Sequence, residues 1–257
     1  MLTICILVVL LFLVILLLLS LRNNRPLPLR PSSKVLLVIA HPDDETMFFT
    51  PALRSLSLAG HRIFILCVSN GNFEGLGRKR TYELRDAVQH LGVSPSDVTV
   101  LDYDVFQDGG QWDKQGLGDV LLRHMEVLSV DMVMSFDGGG VSSHKNHIAC
   151  FDALQEVYTR GMIPEDVQIF VLDSVSIFRK YVGIYDAPMS IARAPFHYFA
   201  RGRDVAAAWR AMCKHRSQFV WFRFLYMIFS RYVYINTFRR IAPINKIPVA
   251  KRKSKNI

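Results

Sequence analysis

The sequence predicts an α/β protein with a Rossmann-like, three-layer α/β/α fold and a mostly parallel sheet, preceded by one N-terminal transmembrane helix. Short apolar runs rich in β-branched residues alternate with helical segments of about 10–15 residues. Each apolar run ends in a polar turn or loop, and residues 1–21 contain no charged residue at all. Alternation of this kind is typical of βαβ units, which place helices on both faces of a parallel sheet.

Residues 1–21 predict the membrane anchor, since they are almost entirely Leu, Ile and Val. As a helix rising about 1.5 Å per residue, this segment measures roughly 30 Å, which spans a bilayer. A cleaved signal peptide is the alternative, but no basic residue precedes the run and no small-residue cleavage site follows it. Because Arg22, Arg25 and Arg30 follow the helix, the positive-inside rule places the N-terminus outside and the remaining chain in the cytosol.

The main domain is expected over residues 34–220, after a Pro-rich linker at 22–33 that predicts a stiff spacer. The predicted strands are 34–40, 62–68, 98–103, 131–136 and 167–175. The predicted helices are 46–59, 80–91, 117–128, 144–158 and 204–216. The first strand runs into His-Pro-Asp-Asp-Glu and not into G-x-G-x-x-G, so the fingerprint of a dinucleotide-binding protein is absent.

The C-terminal segment, 221–257, is basic and aromatic. From Arg193 onward the chain has 15 Lys and Arg residues against the single acid Asp204, within a net charge of +9. With a membrane helix predicted, anionic lipid headgroups explain this charge more simply than nucleic acid, so no nucleic-acid partner is expected. Nine aromatic residues fall within 219–238, which fits either a core-packing helix or a surface lying in the membrane interface.

The four cysteines are widely spaced and form no C-x-x-C pair, which predicts free thiols buried in a reducing compartment. They are Cys5, Cys67, Cys150 and Cys213. No obligate protein partner is evident from the sequence.

Two clusters of metal-ligand residues follow predicted strands. His41-Pro42-Asp43-Asp44-Glu45 comes directly after the first strand, and His144 and His147 open the helix after the fourth. Histidines at i and i+3 share one helix face, and the carboxyl ends of parallel strands meet at one edge of the sheet. Isolated carboxylates are costly to bury, so a cation that gathers them with imidazoles is the natural solution. Together the two clusters predict a metal site.

The motifs at 40–45, 144–147 and 215–218 resemble the zinc-dependent de-N-acetylases of the PIG-L/LmbE-like family over about residues 34–220. With its predicted anchor, the chain is most similar to the branch that removes the N-acetyl group of N-acetylglucosaminyl-phosphatidylinositol. That branch catalyses the second step of glycosylphosphatidylinositol (GPI) synthesis. The resemblance therefore implies a lipid-linked amino-sugar substrate and a single-pass protein of the endoplasmic reticulum membrane whose catalytic domain is on the cytoplasmic face.

Residue by residue, the resemblance implies that His41, Asp44 and His147 hold the metal. It implies that Asp43 is the general base and that His144 polarises the substrate carbonyl. Zinc is expected, although a site of two His and one Asp also accepts Mn, Fe or Co. Three protein ligands would leave a coordination position open for water.

The roles of the remaining motif residues are left open. Arg80, followed by Glu83 one turn later, fits either a contact to substrate phosphate or a structural ion pair. His215 fits the rim of the site or a structural position. The middle of the second motif is Lys145 and Asn146, where many bacterial members of that family have Pro and Asp, so an orienting role of that Asp is not carried over to this chain.

Two other classes of function remain as alternatives. A membrane-tethered, non-catalytic α/β adaptor would use the His/Asp cluster structurally, but a structural site has no need of Asp43 and is normally closed by four ligands. A metal-dependent phosphohydrolase would normally need more carboxylates to hold two metal ions. Glu45 is expected to be an ordinary first-turn helix residue and not a ligand.

Overall fold

A single mixed sheet organises the described residues. The computed structural model of the protein describes Val14 and residues 25–241. The strands are β1 Lys34–Ile39, β2 Arg62–Cys67, β3 Val98–Val100, β4 Met132–Phe136, β5 Gln168–Leu172, β6 Phe196–Phe199 and β7 Ile235–Arg240. The helices are α1 Asp44–Phe48, α2 Thr50–Leu58, α3 Gly77–Leu91, α4 Lys114–Leu128, α5 Gly140–Ser143, α6 Lys145–Thr159, α7 Ile177–Lys180, α8 Ala187–Arg193, α9 Gly202–Met212 and α10 Trp221–Phe229.

The order of the strands places β1 next to β4. The sheet reads β3-β2-β1-β4-β5-β7-β6. Its first five strands are parallel, whereas β7 is antiparallel to both β5 and β6. From β1 the chain adds β2 and β3 on one side, and from β4 it adds β5 on the other side. The carboxyl ends of the neighbouring strands β1 and β4 therefore form a topological switch point, where α/β sheets bind ligands. The α/β class with a mostly parallel sheet is thus confirmed.

The crossover helices form layers on both faces of the sheet. The connections from β1 to β2 and from β2 to β3 cross the sheet in one direction, and those from β3 to β4 and from β4 to β5 cross it in the opposite direction. Because such connections are right-handed, the helices of the two groups lie on opposite faces of the sheet. Gly118 in α4 lies so close to α6 that a Cβ atom there would meet Val157 at 2.7 Å. Strand β1 is buried between the layers, with Val35, Leu37 and Ile39 all 0 % exposed. This burial explains its uninterrupted apolar sequence.

The predicted helix over 46–59 is two helices, α1 and α2, separated at Phe49. Pro51 lies in the first turn of α2. Proline has no N–H to donate within a helix but fits a first turn, so it starts a new helix here and does not continue the old one.

The prediction that the main domain ends at residue 220 is wrong. Strand β7 pairs with β5 through Phe170–Arg240 and Leu172–Phe238, and it also pairs with β6. The sheet therefore continues to Arg240. Residues 219–238 include both core and surface. Tyr232 and Phe238 are fully buried, whereas much of α10 is exposed.

The N-terminal end of the described chain is attached to the sheet edge. Arg25 and His197 exchange backbone hydrogen bonds of 3.2 and 2.8 Å, and Leu27 is buried. This part of the predicted linker therefore packs against the domain. Within the described residues, no helix has the length and apolarity needed to cross a bilayer. The predicted anchor, 1–21, lies outside the described residues except for Val14, as does the tail beyond Ile241.

The three described cysteines are free, but one of them is not buried. Cys67 and Cys150 lie in the interior, where burial raises the pKa of both thiols. Cys213, which was predicted to be buried, is exposed just after α9.

Candidate active site

The carboxyl ends of β1 and β4 open into a cavity of about 540 Å³. One end of this cavity, the polar floor, consists of His41, Asp43, Asp44, Asp108, His144 and His147. The other end, the apolar wall, consists of Tyr181, Phe222, Leu225, Tyr226 and Phe229. The two motifs singled out in the sequence thus converge, although about 100 residues separate them.

Asp44 is fixed by the end of β1. Its Oδ2 accepts hydrogen bonds from the amides of Ala40 at 3.0 Å and His41 at 2.8 Å. Its Oδ1 lies 3.1 Å from His147 Nε2, which joins the two motifs. Burial would raise the pKa of Asp44, but the two neighbouring histidines outweigh it and lower the pKa well below its usual range. Asp44 is therefore a buried carboxylate.

Asp43 is held in an unfavourable backbone conformation. Its φ is 124°, in the region that L-residues rarely adopt, and its side chain is buried. Such strain persists only where the surroundings impose it, and it is common at functional sites. Asp43 Oδ2 lies 2.9 Å from Arg223 Nη2 and 3.8 Å from Arg80 Nη2. The carboxylate therefore faces the cavity between two guanidinium groups.

The loop after β4 positions the second motif. Asp137 accepts the amides of Gly139 at 3.0 Å and Ser174 at 2.8 Å, which anchors the loop to the segment after β5. The Gly140 carbonyl oxygen then lies 3.1 Å from His147 Nδ1. A carbonyl oxygen can only accept, so Nδ1 carries the proton, and a neutral ring directs its Nε2 lone pair toward Asp44.

The residues present fit a metal ion. His147 Nε2 and Asp44 Oδ1, both acceptors when the imidazole is neutral, are only 3.1 Å apart, a spacing that a shared cation would relieve. Ring nitrogens of His41, His144 and His147 all lie within 4.8 Å of one another. His41 Nε2 is buried and has no aligned hydrogen-bond partner among the described residues. Nitrogen and carboxylate donors of this kind suit zinc.

His144 differs from the other two histidines. It is the residue before α6, and its side chain is the exposed member of the group. Burial and the neighbouring His147 and His41 lower the pKa of His144 to about 4. Its imidazole is therefore neutral at physiological pH. By contrast, burial lowers the pKa of His41 but Asp108 and Asp44 raise it more, so the net shift is upward.

Asp108 is a site residue that the sequence analysis did not single out. Its Oδ1 lies 3.0 Å from His41 Nε2, without hydrogen-bond alignment, and its Oδ2 lies 3.6 Å from Arg80 Nη1. Burial raises the pKa of Asp108, but contacts with His41 and Arg80 lower it more. The available signal was a carboxylate before Gly109 in a long polar loop that follows a parallel strand.

Asn146, in the middle of the second motif, has a structural role in this chain. Its side chain is fully buried and hydrogen-bonds the loop that carries Asp108. Its Oδ1 accepts the Gly109 amide at 3.1 Å, and its Nδ2 donates to the Gly110 carbonyl at 3.0 Å. Asn146 thus secures the loop that places Asp108 at the polar floor.

Arg80 has a structural role that the sequence left open. Its guanidinium donates to the carbonyl oxygens of Gly71 at 3.0 Å and Pro42 at 2.8 Å. Glycine is favoured at residue 71, because its φ is 72° and a Cβ atom there would lie 2.5 Å from Arg80 Nη1. Glu83 does not pair with Arg80 and instead accepts the Ser217 amide at 3.0 Å. Arg80 therefore ties together the loops after β1 and β2, while it also borders the cavity.

His215 lies in the interior behind the polar floor. It is 0 % exposed and its Nε2 lies 2.7 Å from Glu45 Oε1. Burial lowers the pKa of His215, but the Glu45 carboxylate raises it more. Glu45 Oε2 in turn accepts the Asp43 amide at 3.1 Å, so Glu45 is in the first turn of α1, as expected, and also supports Asp43. This position favours the structural interpretation of His215.

Comparisons with known proteins agree with this geometry. Residues 36–158 match the family described as "PIG-L: GlcNAc-PI de-N-acetylase". The Bos taurus N-acetylglucosaminyl-phosphatidylinositol de-N-acetylase is 42% identical over 208 residues, which cover 80% of this chain and 82% of the relative. A Dictyostelium discoideum protein named as a probable enzyme of the same kind is 34% identical over 249 residues, covering 84% and 96%.

A solved structure with the same fold is the N,N'-diacetylchitobiose deacetylase of Pyrococcus horikoshii. It superposes with a TM-score of 0.60 at 19% identity, covering 81% of this chain and 84% of that one. Together with the sequence identity to the curated relatives, these matches establish that the chain belongs to the PIG-L family of N-acetylglucosaminyl-phosphatidylinositol de-N-acetylases.

Proposed function

We propose that this protein hydrolyses the N-acetyl group of N-acetylglucosaminyl-phosphatidylinositol to give glucosaminyl-phosphatidylinositol and acetate. The observation that carries this proposal is the convergence of His41, Asp43, Asp44, His144 and His147 at the switch point of the sheet. The names of the curated relatives support the same reaction, and GPI synthesis is the expected pathway.

We infer that His41, Asp44 and His147 hold a divalent metal, with zinc as the expected ion and Mn, Fe or Co as alternatives. When bound there, such an ion supplies Lewis-acid chemistry, activating water near neutral pH and polarising the amide carbonyl. The Gly140 carbonyl fixes the ring of His147, and the amides of Ala40 and His41 fix Asp44, so the donor set is oriented in advance.

Asp43 is proposed as the general base. Its carboxylate faces the cavity beside Asp44 and is held there by Arg223, so it is positioned to take a proton from the attacking water. The water oxygen bonds to the acetyl carbon, and the proton held by Asp43 then passes to the sugar nitrogen as the C–N bond breaks. The second proton of the water leaves the new carboxyl group and ends on the amine, so the products are acetate and the sugar amine in its ammonium form, which completes the balance of atoms.

His144 is proposed to stabilise the oxyanion that forms on the acetyl oxygen. It belongs to the polar floor, and its ring centroid lies 5.1 Å from that of His41. With a pKa of about 4 its imidazole is neutral at pH 7, and a neutral imidazole still has one N–H to donate. A donor directed at developing negative charge contributes more than one that binds the ground state.

The expected location is the endoplasmic reticulum membrane, with a single N-terminal span and the catalytic domain on the cytoplasmic face. The apolar wall supports a lipid-linked substrate, since α10 continues outward as an exposed aromatic surface that includes Trp221 at 75 % and Phe222 at 53 % exposure. We propose that this surface, the described part of the predicted 221–257 segment, lies in the membrane interface.

Acetate release tests the proposal. The purified chain is incubated with synthetic N-acetylglucosaminyl-phosphatidylinositol before and after treatment with a chelator, and then with added zinc. We expect acetate and free amine in equal amounts, loss of both with the chelator, and recovery with zinc. Turnover that survives complete metal removal contradicts the proposed ligand set, and the absence of acetate under all conditions contradicts the reaction.

A further inference from the structure

Lys180 is a buried cation of the cavity that the proposed reaction does not use. It ends α7, its exposed fraction is only 8 %, and it lines the cavity between the polar floor and the apolar wall. Its amine donates to Ser142 Oγ and lies 5.4 Å from the ring centre of Tyr181 and 5.7 Å from that of Tyr226. Among the described residues, no carboxylate oxygen lies within 4.0 Å of this amine.

The acidic groups of the cavity already have other partners. Asp43 contacts Arg223, Asp44 contacts His147, and Asp108 contacts both Arg80 and His41. Lys180 is therefore left without a counter-ion in a region where an unpaired ammonium group is costly to bury. Burial and the nearby Arg223 lower the pKa of Lys180 to about 8, so most of it is still charged at pH 7.

The position of Lys180 between polar and apolar ends indicates which anion it binds. Ser142, its hydrogen-bond partner, is two residues before His144, so the amine is close to the polar floor. Tyr181 and Tyr226, whose rings lie near the amine, belong to the apolar wall. In a lipid-linked sugar, the phosphodiester is the one anionic group and it likewise lies between the sugar and the acyl chains.

We propose that Lys180, with Arg223 contributing to the local positive potential, is the binding site for the phosphodiester of the substrate. This inference rests on the proposed function for the identity of the substrate. A protonated amine donating to a phosphate oxygen forms a charge-assisted hydrogen bond, and partial exclusion of water strengthens it. Lys180 would thereby select phosphate-bearing sugars over neutral ones without contacting the acetyl group.

The test compares two water-soluble substrates. One is N-acetylglucosaminyl-inositol, and the other carries the same sugar and inositol with a short-chain phosphodiester. The variants are Lys180→Met, which keeps the length of the side chain without its charge, and Lys180→Arg, which keeps the charge. Lys79→Met is the matched control, because Lys79 is exposed on α3 outside the cavity lining.

For Lys180→Met we expect kcat/KM for the phosphodiester substrate to fall about 10-fold to 100-fold, mainly through KM, as is typical of a charge-assisted hydrogen bond. The same variant should change kcat/KM for the phosphate-free substrate less than about twofold, which shows that the catalytic groups are intact. Lys180→Arg should recover part of the loss, and Lys79→Met should behave as the wild type. Equal loss with both substrates, or with neither, overturns the proposal.

Direct binding separates this inference from the proposed reaction. Titration calorimetry with a short-chain phosphatidylinositol should detect binding to the wild type and at least tenfold weaker binding to Lys180→Met, even if no acetate is released. Inorganic phosphate is titrated in parallel. If inorganic phosphate alone depends on Lys180 and the phosphodiester does not, Lys180 binds a free anion and the assignment to the lipid substrate is wrong.

Discussion

The two parts of the sheet contribute differently to the cavity. The parallel part, β1 to β5 with its crossovers, supplies the whole polar floor, from His41 to His147. The part after β5, from α7 to β7, supplies Lys180, Arg223 and the apolar wall. The proposed catalytic groups thus come from one part of the chain, and the groups proposed to contact the rest of the substrate come from the other.

This difference explains which residues were accessible to sequence analysis. In a parallel sheet, the side chains of a binding site directly follow a strand. The apolar run of the strand and the polar motif are therefore adjacent in the chain and can be recognised together. The wall residues do not follow parallel strands in this way. Arg223 lies on α10, 180 positions after Asp43, and no local sequence pattern connects the two.

Among substitutions in the polar floor and elsewhere, removal of the proposed base should have the largest effect on the rate of acetate release. We expect Asp43→Asn to lower the rate of acetate release about 10²-fold to 10⁴-fold, the usual contribution of a general base. Bound metal, measured by elemental analysis, should stay near the wild-type amount, because Asp43 is not among the proposed ligands. An Asp43→Asn variant with wild-type turnover contradicts the assignment.

The second prediction concerns the contact between the parallel part of the sheet and the part after β5, where His215 contacts Glu45. We expect His215→Ala to lower the free energy of unfolding by about 3–5 kcal/mol, since it leaves a buried carboxylate without its partner. His90→Ala, at a half-buried position near the end of α3, should cost less than about 1 kcal/mol. Chemical denaturation of both variants measures the difference.

The same pair predicts a dependence on pH. The pKa of His215 is raised above 6.5 in the folded state, so the pair contributes its full stability below that pH. The contribution declines as pH rises through the folded pKa. The gap in unfolding free energy between wild type and His215→Ala should therefore narrow on the alkaline side, and a gap that widens with pH would argue against a charged His215.

A smaller effect is expected at Asn146, which secures the loop carrying Asp108. Asn146→Ala removes two hydrogen bonds and should lower kcat/KM about 10-fold to 100-fold, as is common for residues that orient a metal site. Lys145→Ala is the control, because Lys145 is exposed one position away. Steady-state kinetics on one substrate compares them, and equal kinetics for the two variants would show that the loop does not depend on Asn146.

The smallest effect is expected on the exposed surface of α10. Trp221→Ser should lower turnover of bilayer-embedded substrate roughly threefold to tenfold, since partial burial of an aromatic ring contributes about 1 kcal/mol. Val127→Ser, at an equally exposed position (75 %), should have no effect. Neither variant should alter turnover of a soluble short-chain substrate. Equal loss on both kinds of substrate would indicate a folding defect and not a membrane contact.

Much of the fold and of the polar floor could be predicted, because local sequence patterns encode them. The five parallel strands and the convergence of His41 with His147 follow from strand ends and helical spacing. The break at Phe49 was missed because the apolar pattern continues through it. The domain boundary at 220 was placed too early, since strand β7 is recognisable only from its partners in the sheet. Asp108 was missed because its loop has no periodic pattern.

The most direct test of the account is hydrolysis of N-acetylglucosaminyl-phosphatidylinositol in water labelled with oxygen-18, followed by mass spectrometry of the products. Attack at the acetyl carbon predicts one labelled oxygen in acetate, none in the phosphate, and a free amine on the lipid product. Labelled phosphate with an intact acetyl group would contradict the account and indicate a phosphohydrolase.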